Sequence, residues 1–381
     1  NDSVKAPDEN ILSGDWKLMS STNTNIYSQK DYFIIFTSDK IFSMHNQLGE
    51  FITDCENLNY TIEDSIMKLE HYDIDYALKF YLNKNKKSLT LSTGNNQYIF
   101  ESADNAPDHE GYTGTEGRHA MGELKNNNIN EASGIIASRK NPGILYTHND
   151  SGGEGRLFAL NYQGENIAEI WVNNLELIDC EDISIMEING RNYILLADMG
   201  DNRAVRDYVF IYIIPEPDID QSLRNQSLSV SNTQKLTLQY SDGRRDAETL
   251  ISLPNEEIMI ITKREPEVRL YKTKITLKNS KTITPQYLGK IQFTNIVAGD
   301  LHLPSETLLM KNYESVFSID FPDEAGIPNV YTAKTISYKP EPQGEAICWD
   351  LPGTGYFTLS EERNNIEAVL YYYAYKPFWL D

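Results

Sequence analysis

The feature that most narrows the fold of this chain is a repeat. From about residue 117 onward, short apolar or alternating segments bounded by turn residues come in groups of four. The first group reads EASGIIASR, GILYTHND, RLFALNY and AEIWVNN. The second reads CEDISIMEI, NYILLADMGDN, YVFIYIIPE and QKLTLQY. The third reads AETLISL, EIMIITKR, VRLYKTKI and PQYLGKIQF, and the fourth AGDLHLP, TLLMKNY, SVFSIDF and VYTAKTISY. A fifth group has three members, GEAICWD, GYFTLSEER and AVLYYYAYK. Four strands per unit at a spacing of roughly 45–65 residues is the pattern of propeller blades. The fifth unit lacks a strand, and RHAMGELK (118–125), just ahead of the first full unit, is placed to supply it and close the ring. The expectation is a five-bladed β-propeller over residues 117–381. Six blades is the alternative if the long second unit hides another.

Residues 1–110 read differently. GDWKLMSST, DYFIIFTSDKIFSMH, YTIEDSIMKLEHYD, YALKFYLNKNKKSLTLST and NQYIFESAD alternate apolar and polar residues between Asn, Asp, Gly and Lys turns. That predicts an antiparallel meander closed into a small barrel. Gly14-Asp15-Trp16 resembles the Gly-x-Trp start of lipocalin-like barrels, in which the Trp plugs one end. A barrel of this kind has room for a small apolar ligand, yet no ligand-selecting residues stand out. NAPDHEGYTGTEGRH, Asn105 to His119, is rich in Gly, Pro and Asp without apolar period and reads as a linker. The chain is therefore expected to be all-β.

Charge and cysteine content bound the function. Lys+Arg of 34 against Asp+Glu of 56 gives a net charge of −22, a field that repels nucleic acid and favours cationic partners or bound metal. Cys55, Cys180 and Cys348 are too few for a disulfide framework and read as small buried thiols. No Cys/His spacing suggests zinc. No apolar run of ~18 residues is present, so no transmembrane span is expected. The numbering opens at Asn1 without Met, which is read as the trace of a removed export segment.

The motifs EASGIIASRKNPGILYTHNDSG, CEDISI, LLADMGDNRAVRDYVFIYIIPEP, DAETL, ITKR and QGEAI, in that order and spacing, resemble a group of uncharacterised exported bacterial propellers. The likeness spans most of 118–375 and leaves out the N-terminal barrel. It implies a fold and an exported setting: periplasm or an outer-membrane lipoprotein, anchored upstream of Asn1. The protein is expected to be a monomer. More distantly, the acidic starts of the inner strands resemble phytase-like and gluconolactonase-like propellers, whose central carboxylates hold calcium.

Propeller geometry says where the chemistry should be. In each blade the first strand lines the central channel, and its start lies beside the end of the second strand. Residues before the first strand and after the second therefore converge on one opening. The first set is Glu131, Asp179, Glu181, Asp182, Asp246, Glu248, Asp300 and Glu345. The second is His148, Asn149 and Asp150; Asp198, Asp201, Asn202 and Arg203; Lys263 and Arg264; Lys311 and Tyr313; Glu361, Glu362 and Arg363. Glu181, Glu248 and Glu345 each precede a β-branched or Leu position by two and are the candidate metal ligands. Crowded carboxylates need neutralising. A hard cation such as Ca²⁺, with its loose shell of oxygens, is one means. The rim's own Lys and Arg are the other, leaving a mixed surface for a small polar ligand or an envelope component. A third reading is purely structural, with carboxylates bonding backbone N–H groups of the next blade.

Two functions follow. One is a cell-envelope binding protein whose acidic rim holds a metal ion or polar ligand. The other is a hydrolase acting on a phosphoester or lactone with metal assistance, or on a glycoside with two carboxylates. In that case His148, Glu181, Glu248 and Glu345 are the catalytic candidates, with His148 as base. Ser151, in THNDSGG, lacks the setting of a triad nucleophile. DMGDNRAVRD lacks the EF-hand pattern and its closing Glu. Tyr146, Trp171 and Tyr313 are candidates for stacking on a sugar.

Overall fold

The computed structural model describes residues 12–21, 32–36, 40–46, 58–63, 65–71, 74–83, 87–93, 96–103, 118–150, 155–277, 281–321, 327–362 and 368–375. Cys55, Ser151, Arg363 and most of the expected linker lie outside them. Contacts divide the chain into two compact units, Asn1–His119 with Tyr373–Asp381, and Ala120–Tyr372.

Eight antiparallel strands from Gly14–Ser21 to Asn96–Ala103 each pair with the next, and the first pairs with the last, closing a barrel. Period-two alternation decides which side chains point inward. Trp16, Leu18, Ile34, Phe36, Met67, Leu69, Leu89, Leu91, Tyr98 and Phe100 are buried, while Lys68 and Ile99 between them face out. An eight-stranded barrel is just wide enough for its interior to be filled by side chains. Here Phe36 packs on Phe42 and Tyr60 with centroids at 5.3 and 5.2 Å. Trp16 donates its indole N–H to the Leu12 carbonyl at 3.0 Å.

The second unit is a five-bladed β-propeller. Its innermost strands are Ala132–Ala137, Cys180–Ile188, Ala247–Leu253, Ala298–His302 and Ala346–Trp349. Each packs against the next, and the fifth packs against the first. Three of the five are buried along their whole length, as continuous apolar runs at the centre of a β-architecture should be. The described residues contain only three single 3₁₀ turns as helix. The strand Arg118–Glu123 completes the fifth blade beside Val369–Ala374, so the ring is closed by a strand from the opposite end of the domain. Leu124 extends that closure by donating its N–H to the Ala368 carbonyl at 2.9 Å.

The long second unit does not hide a sixth blade. Its extra length, between strands Val209–Pro215 and Gln234–Leu238, crosses to the first blade and adds Gln226–Val230 parallel to Asn166–Val172 as a fifth strand. The crossing is fastened by Asn141, which donates to the Pro217 carbonyl (3.0 Å) and accepts from the Ile219 N–H (3.1 Å). An added strand covers an edge that would otherwise expose unpaired backbone groups.

Hydrogen bonds tie neighbouring blades. Ser133 donates to the Glu181 carbonyl at 3.0 Å, and Ser184 meets Ser252 at 2.8 Å. Asp182 accepts from Leu250 N–H at 2.7 Å, and Asp300 from Trp349 N–H at 2.9 Å. These two carboxylates take the structural role weighed for the whole set.

Candidate acidic site at the channel mouth

The strand register gathers the two sets of residues on one face. Ala132 pairs with Asn149, Cys180 with Asp198, Ala247 with Thr262, Ala298 with Lys311 and Ala346 with Leu359. In blades two and three the inner strand carries a one-residue bulge at its start, and the bulged residues are Glu181 and Glu248. A bulge re-aims a side chain that regular alternation would send elsewhere. Blade one has the same bulge with Ser133 at that position.

Three carboxylates from two blades meet at one end of this cluster. Ligand oxygens of Asp150, Asp179 and Glu181 all lie within 4.8 Å of one another, as do those of Glu181, Asp246 and Glu248. Glu181 belongs to both groups. It is 5 % exposed, and among the described residues no side chain or backbone group donates to its carboxylate. Gly200 makes room for it, since a Cβ there would stand 2.0 Å from Glu181 Oε1 and 2.6 Å from Asp179 Oδ2. Burial first, then Glu248, Asp150 and Asp179, raises the Glu181 carboxyl far above the usual range. Burial and then Asp179 and Glu345 push Asp150 up to about 7. Ligand oxygens of Asp150 and Asp179 approach within 4.8 Å, and burial, then Asp246, raises the Asp179 carboxyl above its usual range. The second oxygen of Asp150, Oδ1, is buried without a partner among the described residues.

The other side of the mouth supplies its own cations. Lys263 is ion-paired to Glu248, stands 3.8 Å from Glu345 Oε1 and lies 5.2 Å from the centre of the Tyr313 ring. Burial opposes the charge on Lys263, but Glu248 outweighs it and raises the ammonium pKa. Tyr313 donates its hydroxyl to Glu345. Arg264 is paired with Asp246 and bonded to Asn202. Lys311 is fully buried, with Nζ on the Gly344 carbonyl and 4.4 Å from the centre of the Tyr338 ring. Burial brings its pKa down to about 8.

Other sequence candidates have local work. Asp201 caps its own loop, accepting from Val205 N–H (2.8 Å) and Arg206 N–H (2.7 Å). Asp198 is fully buried and paired at 3.0 Å with Arg206, not with Arg203, which is exposed. Arg206 is thus the basic residue of this loop that builds the site, and the sequence reading missed it. No sequence signal marks it, because the return of residue 206 to the strand end is set by the hydrogen bonds of Asp201 inside the loop. Asn149 spends its amide on the Asn128 carbonyl (2.8 Å) and Asn130 (3.1 Å). His148 is 0 % exposed, its Nδ1 at 2.9 Å from the Asn149 carbonyl. Burial lowers its pKa to about 4. Glu131 is exposed and Glu361 half-buried; both act on Asp150 through charge. Of the three aromatic candidates only Tyr313 reaches the mouth. Tyr146 is fully buried with its hydroxyl at Glu216 (3.3 Å), and Trp171 lies beneath the Arg156 guanidinium at 5.1 Å.

No protein-family model matches this chain, and no curated protein matches it. Solved structures similar to it share about a tenth of its sequence. The Pan2 WD40 domain of Neurospora crassa is 10 % identical with a TM-score of 0.30, over 96 % of this chain and 98 % of that one. A functionally unknown protein from Desulfotomaculum acetoxidans is 10 % identical with a TM-score of 0.36, over 91 % and 90 %. A catalytically inactive virginiamycin B lyase from Staphylococcus aureus, solved with quinupristin, is 10 % identical with a TM-score of 0.31, over 95 % and 96 %. The strand pairing, not these likenesses, establishes the propeller.

Proposed function

We propose that this protein is a binding protein whose acidic channel mouth captures a hard cation, with Asp150, Asp179 and Glu181 as its ligands and Ca²⁺ as the ion. The observation that carries the reading is the asymmetry of the mouth. Glu248, Glu345 and Asp246 have Lys263 and Arg264. Among the described residues no ion pair reaches Asp150, Asp179 or Glu181. Ca²⁺ binds oxygens at about 2.3–2.6 Å in a loose shell, so ligands on opposite sides stand about 5 Å apart. Oxygens gathered within 4.8 Å fit that shell. A bound cation would also offset the mutual repulsion of these buried carboxylates, which raises the pKa of Asp150 and Glu181.

The hydrolase reading has less support. Its candidate base, His148, is sealed from solvent, and Glu248 and Glu345 are engaged by Lys263 and Tyr313. An exported, lipid-anchored envelope setting and a lipocalin-like character of the barrel are part of the proposal, resting on motif resemblance.

The test is thermal unfolding of the EDTA-treated protein across a Ca²⁺ titration. A ligand at 100 times its Kd adds roughly 2.7 kcal/mol, a rise of a few degrees for a chain of this size. We expect a saturable rise that Glu181→Gln abolishes. A flat curve for the wild-type protein would remove the cation reading.

A further inference from the structure

We infer that a cleft at the end of blade two opposite the acidic mouth is a binding site for a short acidic saccharide, one that carries a carboxylate on a hydroxylated ring.

The cleft is separate from the carboxylate cluster. The second strand of blade two runs from Arg191 to Asp198, and Asp198 lies at the mouth beside Cys180. At about 3.3 Å per residue the Arg191 end is roughly 23 Å away. Three strand ends of blade two and the turn between the first two strands of blade one enclose the cleft. They bring together Arg191 and Tyr193, Pro215 and Glu216, Thr233, and Lys140. Its volume is about 980 Å³, the size of sites that take drug-sized molecules.

The observation that marks this cleft is its buried carboxylate. Glu216 is 5 % exposed. Its Oε1 is held by blade one, accepting from the Ser138 hydroxyl, from Lys140 N–H (3.2 Å) and from the Tyr146 hydroxyl (3.3 Å). The Glu216 N–H is fixed to the Asn192 carbonyl at 3.1 Å. The other oxygen, Oε2, is buried without a partner among the described residues, and so is the Thr233 hydroxyl. Buried polar atoms of folded proteins are nearly always hydrogen-bonded. A carboxylate oxygen accepts, and a hydroxyl both donates and accepts. Two such atoms on one cleft fit the hydroxyls of a ligand. Asn192, Asn232 and Gln234 complete the lining with carboxamides, each holding a donor and an acceptor in one plane, as vicinal ring hydroxyls require.

The walls select among hydroxylated molecules. Tyr193 and Pro215 are directly opposed in their antiparallel pair. Their side chains therefore stand side by side on one face, an apolar wall for the C–H face of a sugar ring. Arg191 is exposed, and among the described residues no carboxylate pairs with it. Lys140, the other cation of the lining, is answered by Asp218 at 2.8 Å. One free guanidinium thus meets one anionic group, and its planar fork matches a carboxylate. A nucleotide would bring a doubly charged phosphate to a single free cation beside Glu216, in a molecule of net charge −22.

The experiment is isothermal titration of the full chain in EDTA, with trigalacturonate, the neutral maltotriose and AMP as probes. EDTA makes the result independent of the cation site. We expect saturable binding of trigalacturonate, about tenfold or more tighter than maltotriose or AMP, since a bidentate charged pair separates them. Arg191→Gln should bring trigalacturonate down to the maltotriose level. Glu216→Gln keeps an oxygen for the blade-one donors and replaces the free acceptor by a donor. It should weaken trigalacturonate about tenfold, the order of one lost hydrogen bond to a charged group, with Tm within a few degrees of wild type. Thr233→Val makes the same test from outside the blade-one bonds, should Glu216→Gln fail to fold. No saturable heat with trigalacturonate overturns the inference. So does binding that Arg191→Gln and Thr233→Val both leave unchanged, which would put the ligand elsewhere. Equal binding of trigalacturonate and maltotriose overturns it as well. AMP bound more tightly than trigalacturonate, and lost with Arg191→Gln, would assign the cleft to a nucleotide instead.

Discussion

Glu181 and Gly200 show how narrowly one residue can depend on another. The bulge at the start of the blade-two inner strand turns Glu181 toward Asp150 and Asp179, and the absence of a side chain at Gly200 leaves space for two carboxylates. Gly200 has no positive φ that demands glycine, so its role is one of space. Gly200→Ala is therefore expected to keep the fold and displace Glu181. The wild-type rise in Tm on adding Ca²⁺ should fall to within error, while Tm in EDTA changes by no more than a few degrees. A variant that keeps the full Ca²⁺ response would show that Glu181 is not a ligand.

At the scale of elements, most of the propeller was legible and parts of the site were not. Strand grouping comes from apolar runs set off by turn residues, a local signal, and it gave both the blades and the closing strand at 118–123. The crossing strand Gln226–Val230 was not legible. NQSLSV is polar and short, and its partner is the edge of another blade, a relation that no local pattern encodes. The rim was read from topology alone, and topology cannot separate carboxylates that bond backbone N–H groups, as Asp182 and Asp300 do, from those left open, as Glu181 is. Nor can it say that Arg206 and not Arg203 turns inward, since that follows from hydrogen bonds inside one loop.

Two substitutions test these elements. Asn141→Ala should unfasten the crossing strand. It strands the Ile219 N–H and the Pro217 carbonyl in a buried setting, at about 1–3 kcal/mol for an unsatisfied buried group, read as a lower urea midpoint with little change in slope. Leu124→Pro removes the N–H that bonds Ala368 beside the closing strand. Because it acts on ring closure, unfolding should quicken more than refolding slows if closure comes late, and stopped-flow denaturant jumps would read the two limbs.

At the scale of the molecule, the buried acids of this propeller should respond to pH in the opposite sense from carboxylates held in surface ion pairs. Burial raises the pKa of Asp300 and Asp350 to about 6, and raises that of Asp182 well above the usual carboxylate range. Such a group keeps its proton in the folded state after the unfolded chain has lost it near pH 4. At these groups the folded state then binds more protons, so their contribution to stability is greatest below about 4 and falls as pH rises toward 6. Partnered surface carboxylates such as Asp242, whose pKa is lowered, act the other way, but their effect is lost only below about 4. In the window from 4 to 6 the buried acids are opposed by His148, whose pKa burial lowers to about 4, so the contribution of one acid is read from a single-site comparison. Asp350 is the cleanest probe because it lies in blade five and bonds only within it, to Thr354 (2.8 Å) and Tyr372 (2.9 Å). The rise from 3.8 to about 6 corresponds to roughly 3 kcal/mol. The stability of Asp350→Asn relative to wild type should therefore rise by up to that amount between pH 4 and pH 6, measured by urea unfolding at constant ionic strength. A difference that stays level across this window would mean that the Thr354 and Tyr372 donors hold the carboxylate ionised, and that its burial costs the fold nothing.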